Sequence, residues 1–218
     1  RQTDRQTDRQ TDRQTDRQAI IRLIQYVFGY APVKLKDIAE YSKDRIEAAD
    51  VDENTYVGVD NLLQNKKGKT VSNCIPQIGR LTQYKYGDVL IGNIRPYLRK
   101  IWLADNNGGT NGDVLVIRGH EDIIISRFLY YCLSSENFFE YDNRNSKGAK
   151  MPRGNKEAIM EYSFGIPTIE EQERIVSILD RFDSLCNDIS LGLPAEIEAR
   201  QKQYEYYRDK LLTFKELA

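Results

Sequence analysis

From residue 33 onward, short β-branched apolar runs alternate with loops rich in glycine, asparagine and lysine. The runs "TYVGV" (Thr55–Val59), "DVLIG" (Asp88–Gly92), "KIWLA" (Lys100–Ala104) and "VLVIR" (Val114–Arg118) are bounded by Gly, Asn or Asp, and they read as strands. "SRFLYYCLSSENFFEY" (Ser126–Tyr141) repeats its apolar positions at helical spacing and opens on Ser126, a cap candidate, which predicts one or two helices. "NNGGTNGD" (Asn106–Asp113) reads as a strand-joining loop. Together these predict an α/β (α+β) domain over residues 33–167, with function expected on its loops. Residues 19–32 contain the most apolar stretch, "AIIRLIQYVFGYA". It is too short to span a bilayer, carries Arg22 and lacks the flanks of a secretion signal, so it is read as a linker.

The pattern changes at residue 168. There Thr168 is the predicted helix cap and Glu171 its capping-box partner. Ile175, Ile178, Phe182, Leu185 and Ile189 then fall at alternating three- and four-residue steps, the spacing of a coiled-coil seam. "GLP" (Gly192–Pro194) interrupts the run, because Pro194 has no N–H for the ladder and suits the first turn of a new helix. The second helix carries its own seam: Ile197, Tyr204, Tyr207, Leu211 and Phe214. The first heptad frame, continued, would fall on residue 196, so the register breaks at the Gly and Pro. Helices of this length span roughly 30 Å. A narrow seam of that length favours packing on another long helix over a hairpin folded onto its own domain.

The first 18 residues, "RQTDRQTDRQTDRQTDRQ", contain no apolar side chain, so nothing offsets the entropy of ordering them. A solvated, disordered low-complexity tail is expected. The perfection of the repeat points to the gene. The codons AGA, CAG, ACA and GAC spell Arg-Gln-Thr-Asp and are one tetranucleotide, AGAC, read three times over. All three frames encode the same cycle. Loss or gain of one unit would preserve the repeat and shift the frame of everything after it, as in a phase-variable locus. Residue 1 is Arg and the only methionines are Met151 and Met160, so the true start of the reading frame is expected elsewhere.

Composition adds little until charge is placed along the chain. The apolar fraction of 40% supports a core, and the formal net charge of −1 does not by itself indicate a nucleic-acid partner. Yet "NRNSKGAKMPRGNK" (Asn143–Lys156) holds five basic residues and no acidic one, whereas residues 169–218 hold eleven acidic and seven basic. One face for a polyanion and another for a different partner is the pattern implied. Cys74, Cys132 and Cys186 are scattered without ligand spacing, as expected of reduced thiols in a cytoplasm.

Catalytic constellations are absent from the sequence. His120 is the single histidine and sits in a polar turn, where a solvated surface role is expected. There is no GxxxxGK[ST] loop, no HExxH, and no Asn-Pro-Pro or Asp-Pro-Pro segment of the amino-methyltransferase kind. The sequence supplies candidates for reading a nucleic acid. In "GDVLIGNIRPYLRKIWLA", Arg95, Tyr97, Arg99 and Lys100 lie on and around a turn that Pro96 would stiffen. In "SKGAKMPRGNKEAI", Lys147, Lys150, Arg153 and Lys156 lie in a Gly-rich loop beside a helix start, where backbone could approach a phosphate.

The stretches "GDVLIGNIRPYLRK", "GAKMPRGNKEAIMEYSFGIP", "EEQERIVSILDRFDSL" and "GLPAEIEARQKQYEYYRDKLLTF" resemble the specificity subunit of type I restriction-modification systems, over about Val33 to Ala218. The resemblance implies a DNA target-recognition domain (33–167) followed by a helical spacer and dimerisation region (168–218). It implies no catalysis in this chain. S-adenosylmethionine, ATP and magnesium would belong to partner modification (methyltransferase) and restriction (translocase/endonuclease) subunits. The family's full pattern has two recognition domains and two helical regions. This chain has one of each, so it is expected to act as a half-sized subunit that pairs with a second copy or with a separate N-terminal half, on double-stranded DNA, in the cytoplasm and without a membrane. Two alternatives are a free-standing dimeric DNA-binding regulator with no methyltransferase partner, and a nuclease with an unrecognised site.

Overall fold

The computed structural model describes residues 18–181 and 183. The RQTD repeat up to residue 17, and Phe182, Leu185, Ile189, Ile197, Tyr204, Tyr207, Leu211 and Phe214 of the expected seams, lie outside the described residues. The described residues up to Glu173 form one compact unit and the described residues from Arg174 belong to a second. In the second unit Ile175 is half-buried and Ile178 is 38% exposed.

The first unit is closed by its own flanks. Strand β1 (Tyr30–Lys34) pairs antiparallel with β10 (Ser163–Pro167), in a register from Tyr30 opposite Pro167 to Lys34 opposite Ser163. Helix α1 covers residues 18–28, so the expected linker is a helix followed by the start of a strand. Its apolar periodicity is real, but only one side is covered. Ile21 is buried, whereas Leu23 and Val27 are 62% and 59% exposed. Two buried glutamines hold the flanks. Gln25 Nε2 donates to the Pro167 carbonyl at 2.8 Å. Gln172 Nε2 donates to the carbonyls of Ile123 and Pro167, both at 2.9 Å, while its Oε1 accepts from the Ile125 N–H at 3.0 Å.

Between the flanks lie two four-stranded sheets. One has the order β2-β9-β6-β7 (Ala39–Tyr41, Val114–Gly119, Val89–Gly92, Ile101–Leu103) and is antiparallel throughout. The other has the order β3-β5-β8-β4 (Arg45–Glu47, Arg80–Tyr84, Gly108–Thr110, Tyr56–Val57), with β4 parallel to β8. Leu90, Trp102, Val114 and Val116 of the first sheet pack with Val57 and Tyr84 of the second, and the Tyr84 and Trp102 rings meet edge to face at 5.6 Å. Strand β6 is buried at every position and β9 at its first four, because helix α3 (Ser126–Leu133) packs near the same strands. Double-sided burial is why these strands read as continuous apolar runs with no alternation.

Three local expectations need correction. "NNGGTNGD" is not merely a loop, since Gly108–Thr110 is the buried strand β8. A Cβ on Gly108 would stand 2.0 Å from the Thr55 carbonyl oxygen, and one on Gly109 would stand 2.9 Å from Ile46 Cγ2. The glycines are there for close approach, which a strand propensity cannot register. Ser126 is the first residue of α3 and not its cap. Ile125 is the cap residue, with no side-chain bond, and Gln172 satisfies its amide. His120 is half-buried, and its backbone links Ile38 to Ile123 and Ile124. Ser126–Tyr141 divides into α3 and α4 (Glu136–Asn145), with Ser135 capping the latter through the Phe138 N–H at 3.3 Å.

Gln172→Ala should destabilise the first unit by about 2 kcal/mol, since it removes the side-chain partner of the Ile125 amide and of the Ile123 carbonyl, while the Pro167 carbonyl keeps its bond from Gln25. Urea unfolding measures it, and an unchanged midpoint would refute this role of Gln172 in the closure.

Candidate nucleic-acid interface

Strand β6 ends at Gly92, and the chain passes through Asn93 and Ile94 into a single 3₁₀ turn, Pro96–Leu98, before β7. Arg95 and Arg99 flank that turn in the left-handed region, with φ of 53° and 52°. Arg95 precedes Pro96, where the pyrrolidine ring normally pushes a residue toward extended backbone. The other non-glycine residues of positive φ among those described are Asn65 and Lys66, and they touch the same turn. The Asn65 N–H donates to the Leu98 carbonyl and the Lys66 N–H to the Arg99 carbonyl, both at 3.0 Å. Each such residue costs on the order of 1–3 kcal/mol, and strain of this kind gathers where a surface must be held in one shape.

The Gly-rich basic loop docks on this turn. Lys147 and Arg153 exchange backbone hydrogen bonds at 2.9 and 2.8 Å, so residues 147–153 close as a small hairpin with Gly148 at φ +102°. Arg153 is bridged on its other side by Ile94. The Arg95 N–H donates to the Pro152 carbonyl at 2.8 Å, and the Gly154 N–H to the Asn93 carbonyl at 3.0 Å. The structure thus unites the two basic segments singled out in the sequence, through bonds between residues more than 50 positions apart.

The eight candidate side chains do not share one role. Arg99 meets Glu136 through two bonds, at 3.0 and 2.8 Å. Glu136 also accepts from Lys66 at 3.0 Å, and Lys66, then Arg99, hold its carboxyl below the usual range. Lys100 Nζ donates to the Val59 carbonyl at 2.6 Å, and its partial burial lowers its pKa. Arg153 pairs with Asp113 at 3.2 Å while staying 57% exposed. Arg95, Tyr97, Lys147, Lys150 and Lys156 are exposed, and their side chains make no hydrogen bond or ion pair with another described residue. Arg99 and Lys100 therefore hold the turn in shape, and the other six residues face solvent.

The helix start beside the loop offers no phosphate site. Helix α5 (Lys156–Met160) is five residues long, and the Asn155 side chain already accepts from the Glu157 and Ala158 N–H groups. Tyr41 and Tyr141 hold α5 from below through hydroxyl bonds to the Lys156 and Ala158 carbonyls, at 2.9 and 3.0 Å.

Three residues under the junction carry no signal in the sequence: Asn93, Asp142 and Gly154. Asp142 lies on α4, is 1% exposed, and has neither carboxylate oxygen paired; Asn93 Oδ1 is likewise buried without a partner. Burial pushes the Asp142 carboxyl from its ordinary 3.8 up to about 6. Nothing in "FFEYDNRN" distinguishes this aspartate from a solvated one; only the packing does.

Among the described residues, no group of His, Cys, Asp or Glu could hold a metal ion, and no helix is long and apolar enough to cross a membrane.

Residues 29–199 match the model of the type I restriction modification DNA specificity domain. The chain belongs to that family. The specificity subunit of the Escherichia coli type I restriction enzyme EcoR124I/EcoR124II is 39% identical over 104 residues, which are 48% of this chain and 26% of that protein. A putative type I specificity subunit from Haemophilus influenzae is 34% identical over 132 residues, 60% of this chain and 33% of the relative. The match thus spans between a quarter and a third of these curated relatives. Among solved structures, the HsdS subunit from Thermoanaerobacter tengcongensis shares the fold with a TM-score of 0.62 at 19% identity, covering 81% of this chain and 47% of that one.

Asp142 makes a pH-dependent stability difference measurable. Its folded pKa lies above its unfolded one. Its favourable contribution is therefore complete below about pH 4 and lost as pH rises through about 6. Asp142→Asn removes that loss. The stability gap between the variant and the unaltered chain should widen in favour of the variant by about 3 kcal/mol between pH 4 and pH 7. Denaturant titrations across that range measure it, and a gap independent of pH would refute the buried, unpaired state of this carboxyl.

Proposed function

We propose that this specificity-family chain reads one half of a split DNA target through the surface built on the Arg95 turn and the Lys147–Arg153 hairpin. The backbone ladder that unites these two segments carries the reading. It places exposed cations and an exposed tyrosine on a scaffold of fixed shape, as phosphate and base-edge contacts require. The chain itself catalyses nothing in this reading. Modification subunits would methylate with S-adenosylmethionine, and restriction subunits would act with ATP and magnesium. All would work in the cytoplasm, on sites chosen by this chain.

One recognition domain covers a few base pairs, too little information to mark rare sites in a genome. A second reader at fixed distance is needed, either another copy of this chain or a separate N-terminal half. The seams from Ile175 to Ile189 and from Ile197 to Phe214 are the proposed spacer, packed antiparallel against a partner's. A two-fold pair would read an interrupted palindrome, and a pairing with a different half an asymmetric target. The AGAC-type repeat would switch this production on and off by frame.

Replacing Arg95 and Lys150 together by Ala should weaken binding to duplex DNA. It should flatten the salt dependence by about one unit of log–log slope for each phosphate no longer neutralised. Titrations between low and moderate salt test this, and an unchanged slope assigns these side chains to another surface. Phe182→Lys with Leu211→Glu should abolish assembly and methylation while leaving the recognition domain folded. A variant that still assembles and methylates would show that the helices are not the spacer.

A further inference from the structure

The hairpin and the turn are linked by backbone bonds, but backbone bonds at a surface exchange readily with water. Something beneath must hold the hairpin down. Gly154, the residue that leaves the hairpin, is buried, and its N–H bonds to Asn93. A Cβ at Gly154 would stand 2.8 Å from Asn93 Oδ1, 2.8 Å from Asp142 Oδ1 and 3.4 Å from Asp142 Oδ2. The φ of Gly154 lies outside the left-handed region, so the reason for glycine is space alone. Both side chains are more than nine-tenths buried, and the oxygens that close on Gly154 have no other partner among the described residues. Their polar groups do nothing for the core that an apolar pair would not do at lower cost. Their shared geometry is the pocket that accepts a residue without a side chain.

We propose that Asn93 and Asp142 form a buried seat for Gly154, and that this seat positions the Lys147–Arg153 hairpin so that its cations and Arg95 present one surface to duplex DNA. The proposal rests on the DNA-binding reading of that surface and adds the residues that set its shape. Asn93 and Asp142 are positioning residues and touch no DNA themselves. Asn93 is fixed on its other side, its N–H donating to the Asp113 carbonyl at 2.8 Å, and Asp113 also holds Arg153. The seat, the hairpin and one of the hairpin's cations are therefore tied through one short segment.

The test uses the full chain with a mixed-sequence, fluorescently labelled duplex of about 30 base pairs, a length that leaves room for non-specific contacts. Gly154→Ala should weaken binding about tenfold and lower the salt slope by about one or more, as several cations leave their phosphates together. In hydrogen exchange without DNA, the amides of Arg95, Lys147, Arg153 and Gly154 should exchange at least about tenfold faster, with those of Leu90 and Val116 in the sheet unchanged. Gln172→Ala, which weakens the unit elsewhere, should leave the salt slope unaltered, so the slope separates positioning from general loss of stability. Asn93→Ala adds no bulk and should shift exchange and slope in the same direction; it decides the matter if Gly154→Ala does not fold. Unchanged exchange and slope in the variants would overturn the seat alone. Faster exchange with an unchanged slope would overturn the link from seat to DNA. An unaltered chain that fails to bind duplex would overturn that link together with the DNA-binding reading itself.

Discussion

The cationic surface depends on one backbone junction. The carbonyls of Asn93 and Pro152 accept from Gly154 and Arg95, and Arg153 is bridged on both sides, by Ile94 and by Lys147. These bonds join segments that the chain order separates by more than 50 residues. Closing so long a loop costs entropy that local interactions cannot recover. The sheet below supplies what is needed. Strand β6 is buried at every position and holds Asn93, itself buried, in a fixed place beneath the junction, while α4 holds Asp142. The left-handed backbone of Arg95 and Arg99 is tolerated because both ends of the 3₁₀ turn are held, by Pro152 on one side and by Glu136 and the Asn65–Lys66 turn on the other.

The same junction sorts the basic residues into two kinds. Arg99, Lys66 and Lys100 complete internal hydrogen bonds and fix the turn. Arg95, Lys147 and Lys150 carry charge outward. A cation already satisfied by a carboxylate contributes little to attracting a polyanion, because its field is largely cancelled. Elsewhere in the domain Arg118 is similarly engaged, with bidentate bonds of 2.8 and 2.7 Å to buried Asp88 and a third of 2.9 Å to Asp44. A net charge of −1 over the chain is therefore no obstacle to a cationic surface, since much of the positive charge is neutralised in place.

This sorting marks the limit of what the sequence makes legible. Val89–Gly92 and Val114–Gly119 announce themselves as strands because double-sided burial selects β-branched residues. Gly108–Thr110 does not, because its neighbours approach too closely for side chains and leave glycine, the residue least like a strand former. Residues 18–28 form a helix where the sequence reads as a linker, and its apolar residues are not confined to the covered side, since Leu23 and Val27 remain exposed. Basic residues near a Pro turn and in a Gly-rich loop are visible as a class. Which of them face solvent is decided by partners at long range, such as Glu136 for Arg99 and Val59 for Lys100, and no local pattern encodes those. Asn93, Asp142 and Gly154 are invisible for the same reason, since each is ordinary in its own neighbourhood.

The closure of β1 on β10 explains how such a domain can serve inside longer chains. Tyr30 lies opposite Pro167, so the chain enters and leaves the sheets side by side, and the Gln25 and Gln172 bonds lock that point. Everything between is an excursion that returns to its origin. Among the described residues, the bonds that hold the turn and hairpin come from inside the closure, from residues 93–154, Val59 and the Asn65–Lys66 turn. A unit bounded in this way can be joined to other segments at its flanks without disturbing its loops. Its match to only a quarter to a third of the longer family members fits that arrangement. In such a unit the fold fixes where the cations stand, and substitutions at exposed loop positions can change the surface presented to solvent while the sheets beneath remain as they are.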